Sequence, residues 1–167
     1  MFIGHLPAGY IISRLWLDRA SYCHISHQSF LVAGMLGAVF PDIDMFYFYL
    51  VDHRQHHHHH YLTHYPIVWF SLLLLSLIWR YLRRDSQAAL WSIVFTLNAF
   101  IHLFLDTIVG DIWWFAPFVD KPFAFFNVPA LYHPWWLNFF LHWSFGLELI
   151  MVFGAILLWR KHRQVIN

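Results

Sequence analysis

Two pairs of metal-binding side chains stand out in this chain because the members of each pair lie close together in the sequence. Asp42 and Asp44 are one residue apart in a Pro-Asp-Ile-Asp turn that follows an apolar stretch. His102 and Asp106 are four residues apart in another apolar stretch, so a helix would present both on one face. Imidazole nitrogens and carboxylate oxygens bind zinc and, less specifically, manganese or iron. The two pairs therefore predict a site for a divalent metal.

A histidine-dense segment between the two pairs supplies further candidate ligands. Histidine occupies every position from 56 to 60, and Thr63-His64 follows shortly afterwards. Because a histidine tract also binds metal adventitiously, we expect at most two of these five residues to act. Cys23 is the only cysteine in the chain, which excludes a cysteine-ligated zinc site and an intramolecular disulfide.

The composition indicates an integral membrane protein. Hydrophobic side chains make up 60% of the residues and charged side chains only 11%, which is too apolar for a soluble domain of this length. The formal net charge is +1, and the few basic residues fall at the ends of apolar segments, so we expect no nucleic-acid partner. Without an internal repeat or a disordered linker, a single domain over residues 1–167 is the simplest prediction.

Five apolar segments predict an all-α, polytopic membrane helix bundle of about five helices. Pro41 is expected to end the second helix, and the proline-rich, aromatic segment 110–134 is expected to form a re-entrant segment or a surface cap. The five predicted spans are residues 2–17, 27–40, 65–82, 88–109 and 135–159.

The basic residues predict how these spans are threaded, because short cytoplasmic loops collect Lys and Arg. Placing the basic clusters inside puts the N-terminus outside the cell and the C-terminus inside. The candidate ligands then meet at the outer ends of the helices, in a site that faces the periplasmic side. They are His5, Asp42, Asp44, the histidines of residues 56–64, Asp106, Asp111 and His133.

Ionisable side chains inside the predicted spans indicate function or pairing, because an unpaired charge in a bilayer is costly. His102 lies about 10 Å below the end of its helix at a rise of about 1.5 Å per residue, and His142 has a similar depth in the last span. His142 is therefore a candidate catalytic residue. Glu148, near the middle of the same span, is expected to form an ion pair with Arg14.

The residues also resemble those of a known family, the YdjM type of membrane-bound, metal-dependent hydrolases of the bacterial inner membrane. The matching pieces run in order through roughly the first 120 residues: Gly4-His5, Pro41-Asp42-Ile43-Asp44, Thr63-His64, His102 with Asp106, Gly110, and Trp114 to Pro117. With this resemblance, the expected metal ligands are His5, Asp42, Asp44, His59, His64, His102 and Asp106, and Asp44 is also expected to act in catalysis.

One departure from the family pattern concerns the His-Arg pair that typically precedes the Thr-His. An ungapped match places His59 there, with His60 instead of the arginine, whereas a gapped match uses His53-Arg54. We favour His59, because a tight turn into the next helix is then kept, and Arg54 becomes a catalytic phosphate contact. His53, His58 and His60 remain alternative ligands.

These features predict a membrane-embedded hydrolase that uses metal-activated water on a lipid-linked ester or phosphoester at the outer interface. Seven or more ligands leave room for one or two ions, for which we expect zinc, and these ions would stabilise the attacking and leaving oxygens. The order of ligands is also similar to that of the helical zinc-dependent phospholipase C and P1-type nuclease group, which favours a phosphoester. Residues 112–134 would form a lid over the lipid substrate or a platform for its headgroup.

Two other classes of function use the same ligands. In a metal-ion transporter or sensor, the histidines and acids would bind an ion for passage or for reporting. In a membrane interaction protein, the metal would only hold the bundle together. The polar stripe fades below His102 apart from Glu148 and Arg14, which favours the hydrolase over the transporter.

Overall fold

The structure, a computed structural model, describes residues 3–19, 25–134 and 136–166. Within these ranges the fold is all-helical, as predicted, and the one extended contact is an isolated antiparallel bridge between Ile112 and Phe123. The helices are α1 (His5–Arg19), α2 (His27–Val39), α3 (Asp44–Leu50), α4 (Pro66–Leu82), α5 (Gln87–Asp106), α6 (Trp136–Phe140) and α7 (Trp143–Ile166).

Three of the helical segments are long and apolar enough to cross a membrane: His27–Leu50, Gln87–Asp106 and Trp143–Arg163. The helix α4 is apolar but has only 17 residues, and α1 has 15, so both fall short of the roughly 20 residues of an untilted span. The predicted starts of the first and last spans, Phe2 and Trp135, lie outside the described residues.

Helix α5 lies at the centre of the bundle, with α2 and α4 packed against it. Helix α1 packs on α2, and α7 packs on α1. Two glycines let α2 approach its neighbours closely. A Cβ at Gly37 would lie 2.1 Å from the carbonyl oxygen of Phe95, and one at Gly34 would lie 1.9 Å from Ser13 Oγ. The contact of Gly37 with Phe95 packs the end of α2 against the middle of α5, and the next residue, Ala38, contacts His102 further along that helix.

The chain remains helical after α2, although Pro41 ends the α-helix as predicted. A 3-10 turn, Phe40–Ile43, follows α2 and leads directly into α3. Proline fits the first turn of this segment because it has no N–H that needs a partner there. The tighter turn places Asp42 and Asp44 at the junction of the two helices, close to the end of α5.

The predicted ion pair of Arg14 with Glu148 is wrong. Arg14 Nε lies 3.3 Å from Asp18 Oδ1, one turn along the same helix. Glu148 Oε2 accepts hydrogen bonds from the backbone N–H groups of Ile3 at 2.5 Å and Gly4 at 2.9 Å. These two N–H groups immediately precede α1, at the end of the helix that carries partial positive charge, so they stabilise a buried carboxylate without an arginine.

The segment after α5 folds back as a cap over the end of that helix, rather than as a span. The N–H of Phe125 donates to the carbonyl of Thr107 at 2.8 Å, and the N–H of Phe126 to that of Ile108 at 3.0 Å. Ile112 and Phe123 exchange both backbone hydrogen bonds at 3.0 Å. The cap is therefore fixed to α5 through its backbone, while most of its phenylalanines stay exposed.

Candidate metal centre

Four side chains from three separate parts of the chain converge on one point. Asp42, His64, His102 and Asp106 each offer a ligand atom, and these atoms all lie within 4.8 Å of one another. His102 Nε2 is 2.9 Å from Asp106 Oδ2 and 3.6 Å from Asp42 Oδ1, and His64 Nε2 is 3.7 Å from the same Asp42 oxygen. Ligand atoms that bind one ion at about 2.0–2.2 Å must lie a few ångströms from one another, as these atoms do. The cluster can therefore hold a metal ion.

Each histidine of the cluster is fixed by a partner on its far nitrogen. His102 Nδ1 donates to the carbonyl oxygen of Ala38 at 2.7 Å, and His64 Nδ1 donates to Asp44 Oδ2 at 2.5 Å. Because carbonyl and carboxylate oxygens only accept, these bonds place the proton of each neutral ring on Nδ1. The lone pair of Nε2 then faces the cluster, as in metal sites where a second group orients the ligand.

The facing nitrogens are buried and lack a hydrogen-bond partner among the described residues. This holds for Nε2 of both His64 and His102. Buried polar atoms in folded proteins are almost always satisfied. A metal ion at the centre of the cluster would satisfy both nitrogens at once, so the residues present fit a bound cation.

His59 reaches the same cluster from the histidine tract. Its side chain is buried, its Nδ1 donates to the carbonyl oxygen of Asp111 at 2.9 Å, and its Nε2 lies 3.7 Å from Asp106 Oδ2. Gly110 makes room for the ring, since a Cβ there would lie 2.9 Å from His59 Cε1. Among the alternatives that the sequence left open, the structure thus brings His59 to the cluster, whereas His53 is exposed and His58 and His60 are only half-buried.

His5 lies against the other side of Asp106. Its Nε2 is 3.0 Å from Asp106 Oδ1, and its ring stacks on that of His102 with the centroids 3.7 Å apart. The two oxygens of Asp106 therefore face different histidines. This arrangement fixes the orientation of the carboxylate, and it leaves His5 beside the oxygen that a second ion would use.

Asp44 lies behind His64 rather than among the four converging ligands. Its Oδ2 accepts from His64 Nδ1 and also from Thr63 Oγ1, the latter at 2.6 Å. In this position the carboxylate orients His64 and increases the basicity of its other nitrogen. Thr63 also holds the carboxylate in place. Both members of the Thr63-His64 pair therefore contact Asp44, which explains why they occur together.

The two remaining catalytic candidates have other partners. His142 Nδ1 hydrogen-bonds with Ser144 Oγ at 2.9 Å, and the Arg54 guanidinium stacks over the ring of Tyr49 at 4.6 Å. Within the part of the chain that the structure describes, neither side chain contacts the four converging ligands. Of the other candidates, Asp111 contributes its carbonyl oxygen to His59, and His133 is exposed.

The electrostatics separate the histidines of the tract from His64. Burial lowers the pKa of His58 to about 4 and lowers that of His59 well below its usual value, so both are neutral at pH 7. Burial opposes charge on His64 as well, but the carboxylates of Asp106 and Asp44 outweigh it and raise the pKa of His64 to about 9. Without a metal, His64 holds the proton that balances these acids, and a cation would replace it.

Sequence reasoning missed the partners that come from the backbone. The carbonyl of Ala38 orients His102 and that of Asp111 orients His59. Any residue provides a carbonyl, so these partners have no compositional signal. The small residues near the end of α2 were the only indication that its backbone would approach another helix closely.

Comparison with known proteins gives one match. A family model described as YdjM inner membrane protein matches residues 1–166. No curated protein and no solved structure matches the chain. The family match extends beyond the roughly 120 residues that carry the sequence resemblance and includes the last helix.

Proposed function

The chain belongs to the YdjM inner membrane protein family, and we propose that it is a membrane-embedded, metal-dependent hydrolase of a lipid-linked ester or phosphoester. One observation supports the proposal of a bound metal ion. His102 Nε2, left as an acceptor by the bond of Nδ1 to Ala38, lies 2.9 Å from an oxygen of Asp106. Two acceptors at this distance repel each other unless a proton or a cation lies between them. The convergence of Asp42 and His64 on the same point favours the cation.

The chemistry of the donors limits which ion this is. The ligands are imidazole nitrogens and carboxylate oxygens, which suit zinc and, less specifically, manganese or iron. When bound, such an ion polarises the scissile bond and lowers the pKa of water, which is what hydrolysis at neutral pH requires. We assign the first ion to Asp42, His59, His64, His102 and Asp106, and a second ion, if bound, would add His5.

Solvent and substrate can reach the cluster from one side only. The side chain of Asp42 is 38% exposed, whereas those of His64, His102 and Asp106 are at most 2% exposed. Substrate and water therefore approach along Asp42. The buried ligands on the opposite side exclude bulk water and keep the local dielectric low, which strengthens the interaction with charge that develops during hydrolysis.

The position of the cluster favours a substrate from the membrane. His102 and Asp106 occupy the last turns of α5, which is one of the candidate spans, and Asp42 lies within another. The ligands are therefore at one end of the membrane helices, near the level of lipid headgroups. Arg80, Arg83 and Arg84 lie at the opposite end of α5, so the positive-inside rule assigns the cluster to the periplasmic side.

An activity screen with metal-depleted and metal-restored protein tests this function. Purified protein with zinc, manganese or iron restored is incubated with lipid phosphates, phosphodiesters and acyl esters. Released phosphate, phosphomonoester with its alcohol, and fatty acid, respectively, are measured. We expect hydrolysis that requires the metal and that falls at least about 100-fold in Asp42→Asn, since this ligand borders the open side. If stoichiometric metal is bound but no compound is cleaved, and if proteoliposomes take up the metal, the transporter replaces the hydrolase.

A further inference from the structure

A cavity of about 600 Å³, open on one side, lies beside the end of α5 and is formed largely by residues of the cap. Its volume is within the roughly 300–1,000 Å³ of sites that bind small molecules. Aromatic and aliphatic side chains form nearly all of its lining, and Lys121 is the one charged residue among the described residues that line it. The main apolar contributors are Phe104, Trp114, Phe115, Val119 and Phe123.

The walls of this cavity are fixed by hydrogen bonds and ring contacts. Trp114 Nε1 donates to Thr107 Oγ1 at 3.0 Å, and the Trp114 ring lies against Phe104 with the centroids 4.6 Å apart. The opposite wall is held by the backbone pair of Ile112 with Phe123 and by the bond of Phe125 to Thr107. The cavity is thus a built part of the cap, not a gap between loosely placed loops.

The cavity and the metal centre are two sites on opposite faces of the same helix. At about 100° per residue, Phe104 lies roughly 200° around α5 from His102, and no residue that lines the cavity is a ligand of the cluster. The two sites meet only at the helix end, where Asp106 faces the metal and Thr107 faces the cavity. A ligand of the cavity is therefore held next to the centre without coordinating it.

We propose that this cavity binds one acyl chain of an anionic lipid, whose headgroup pairs with Lys121. The apolar walls favour a hydrocarbon chain. Because α5 is long and apolar enough to cross a membrane, lipid chains of a bilayer around it would lie beside the cavity. The acid next to Lys121, Asp120, instead accepts from Trp113 Nε1 at 2.7 Å, and no carboxylate among the described residues pairs with Lys121. Its ammonium group is thus available to an external phosphate.

This inference goes beyond the proposed hydrolase, because it assigns a lipid site and a charge preference that can be measured without turnover. The test is native mass spectrometry of the detergent-solubilised full-length protein with dioleoylphosphatidylglycerol or dioleoylphosphatidylcholine. We expect about tenfold tighter binding of the anionic lipid, as a charge-assisted contact gives. Glycerophosphoglycerol, which has the headgroup without the chains, should not compete.

Substitutions test whether the preference for the anionic lipid arises at the cavity. Lys121→Gln should bind both lipids equally, whereas Lys121→Arg should keep the preference. Lys161→Gln is the matched control, because Lys161 is the other lysine of the chain and is exposed near the end of α7. Val119→Trp should weaken both lipids by filling the cavity.

Three results would overturn the proposal: equal binding of the two lipids by the wild type, an equal effect of Lys121→Gln and Lys161→Gln, or unchanged binding in Val119→Trp. Each of these variants is compared at wild-type metal content, which shows that the bundle is intact. The variant His102→Ala tests whether lipid binding is independent of the hydrolase activity. It should abolish metal-dependent hydrolysis and keep the lipid preference, so the hydrolase and the lipid site can fail independently.

Discussion

The histidines of the metal cluster and those of the exposed tract are chemically identical, but the fold uses them differently. The side chains of His64 and His102 are 0% exposed, and each has a partner on its far nitrogen. By contrast, the side chains of His56 and His60 are 65% and 42% exposed. The density of histidines in the sequence thus does not identify the ligands, whereas burial and a partner on the second nitrogen do.

The physical reason is that a buried, hydrogen-bonded ring is already ordered before the metal arrives. An exposed histidine loses side-chain entropy when it binds, and water competes for its nitrogen. His59 shows that the distinction does not follow the sequence, because it is buried while the side chain of His60 beside it is 42% exposed. The comparison therefore predicts different effects for substitutions of the same residue type.

The largest difference is expected between His102→Ala and His60→Ala. Removing His102 should weaken metal binding by more than about 100-fold, because a candidate ligand is lost together with the nitrogen that lies 2.9 Å from Asp106 Oδ2. His60→Ala should leave the tightly bound metal unchanged. Metal content after dialysis against a chelator, measured by inductively coupled plasma mass spectrometry, checks both. Equal metal loss in the two variants would remove the distinction between cluster and tract.

A smaller effect is expected for the carboxylates that lie behind the rings. Asp44→Asn should weaken metal binding by about 10- to 100-fold, since the amide holds the His64 ring but lacks the charge that makes it basic. Asp52→Asn is the control, because Asp52 Oδ1 lies 2.6 Å from His56 Nδ1 in a similar pair in the tract. Titration with a competing chelator gives both affinities. A comparable loss in Asp52→Asn would mean that the tract contributes ligands.

The smallest effect is expected from the space around His59. A Cβ at Gly110 would lie 2.9 Å from His59 Cε1 and 3.1 Å from the backbone oxygen of Asp106. Gly110→Ala should therefore displace the ring and weaken metal binding by less than about tenfold. Gly146→Ala is the control, since a Cβ there meets nothing within 4 Å. The same chelator titration applies, and an unchanged affinity in Gly110→Ala would show that His59 is not a ligand.

The sequence predicted the helical class and the existence of a histidine and aspartate cluster, because both depend on local patterns. Apolar length identifies membrane helices, and the spacing of His102 and Asp106 places both on one face. The partner of Glu148 was predicted wrongly, since an arginine at matching depth was preferred over the N–H groups of a helix end. The partners Ala38 and Asp111 act through the backbone and depend on how closely helices approach, which no residue type encodes.

The contact of Glu148 with Ile3 and Gly4 has a consequence for the metal cluster. It connects α7 to the backbone immediately before α1, although the two helices lie far apart in the sequence. Helix α1 carries His5, which stacks on His102 and contacts Asp106. The carboxylate on α7 therefore helps to hold His5 in place beside Asp106, so the last helix contributes to the geometry of a cluster that none of its own residues enters.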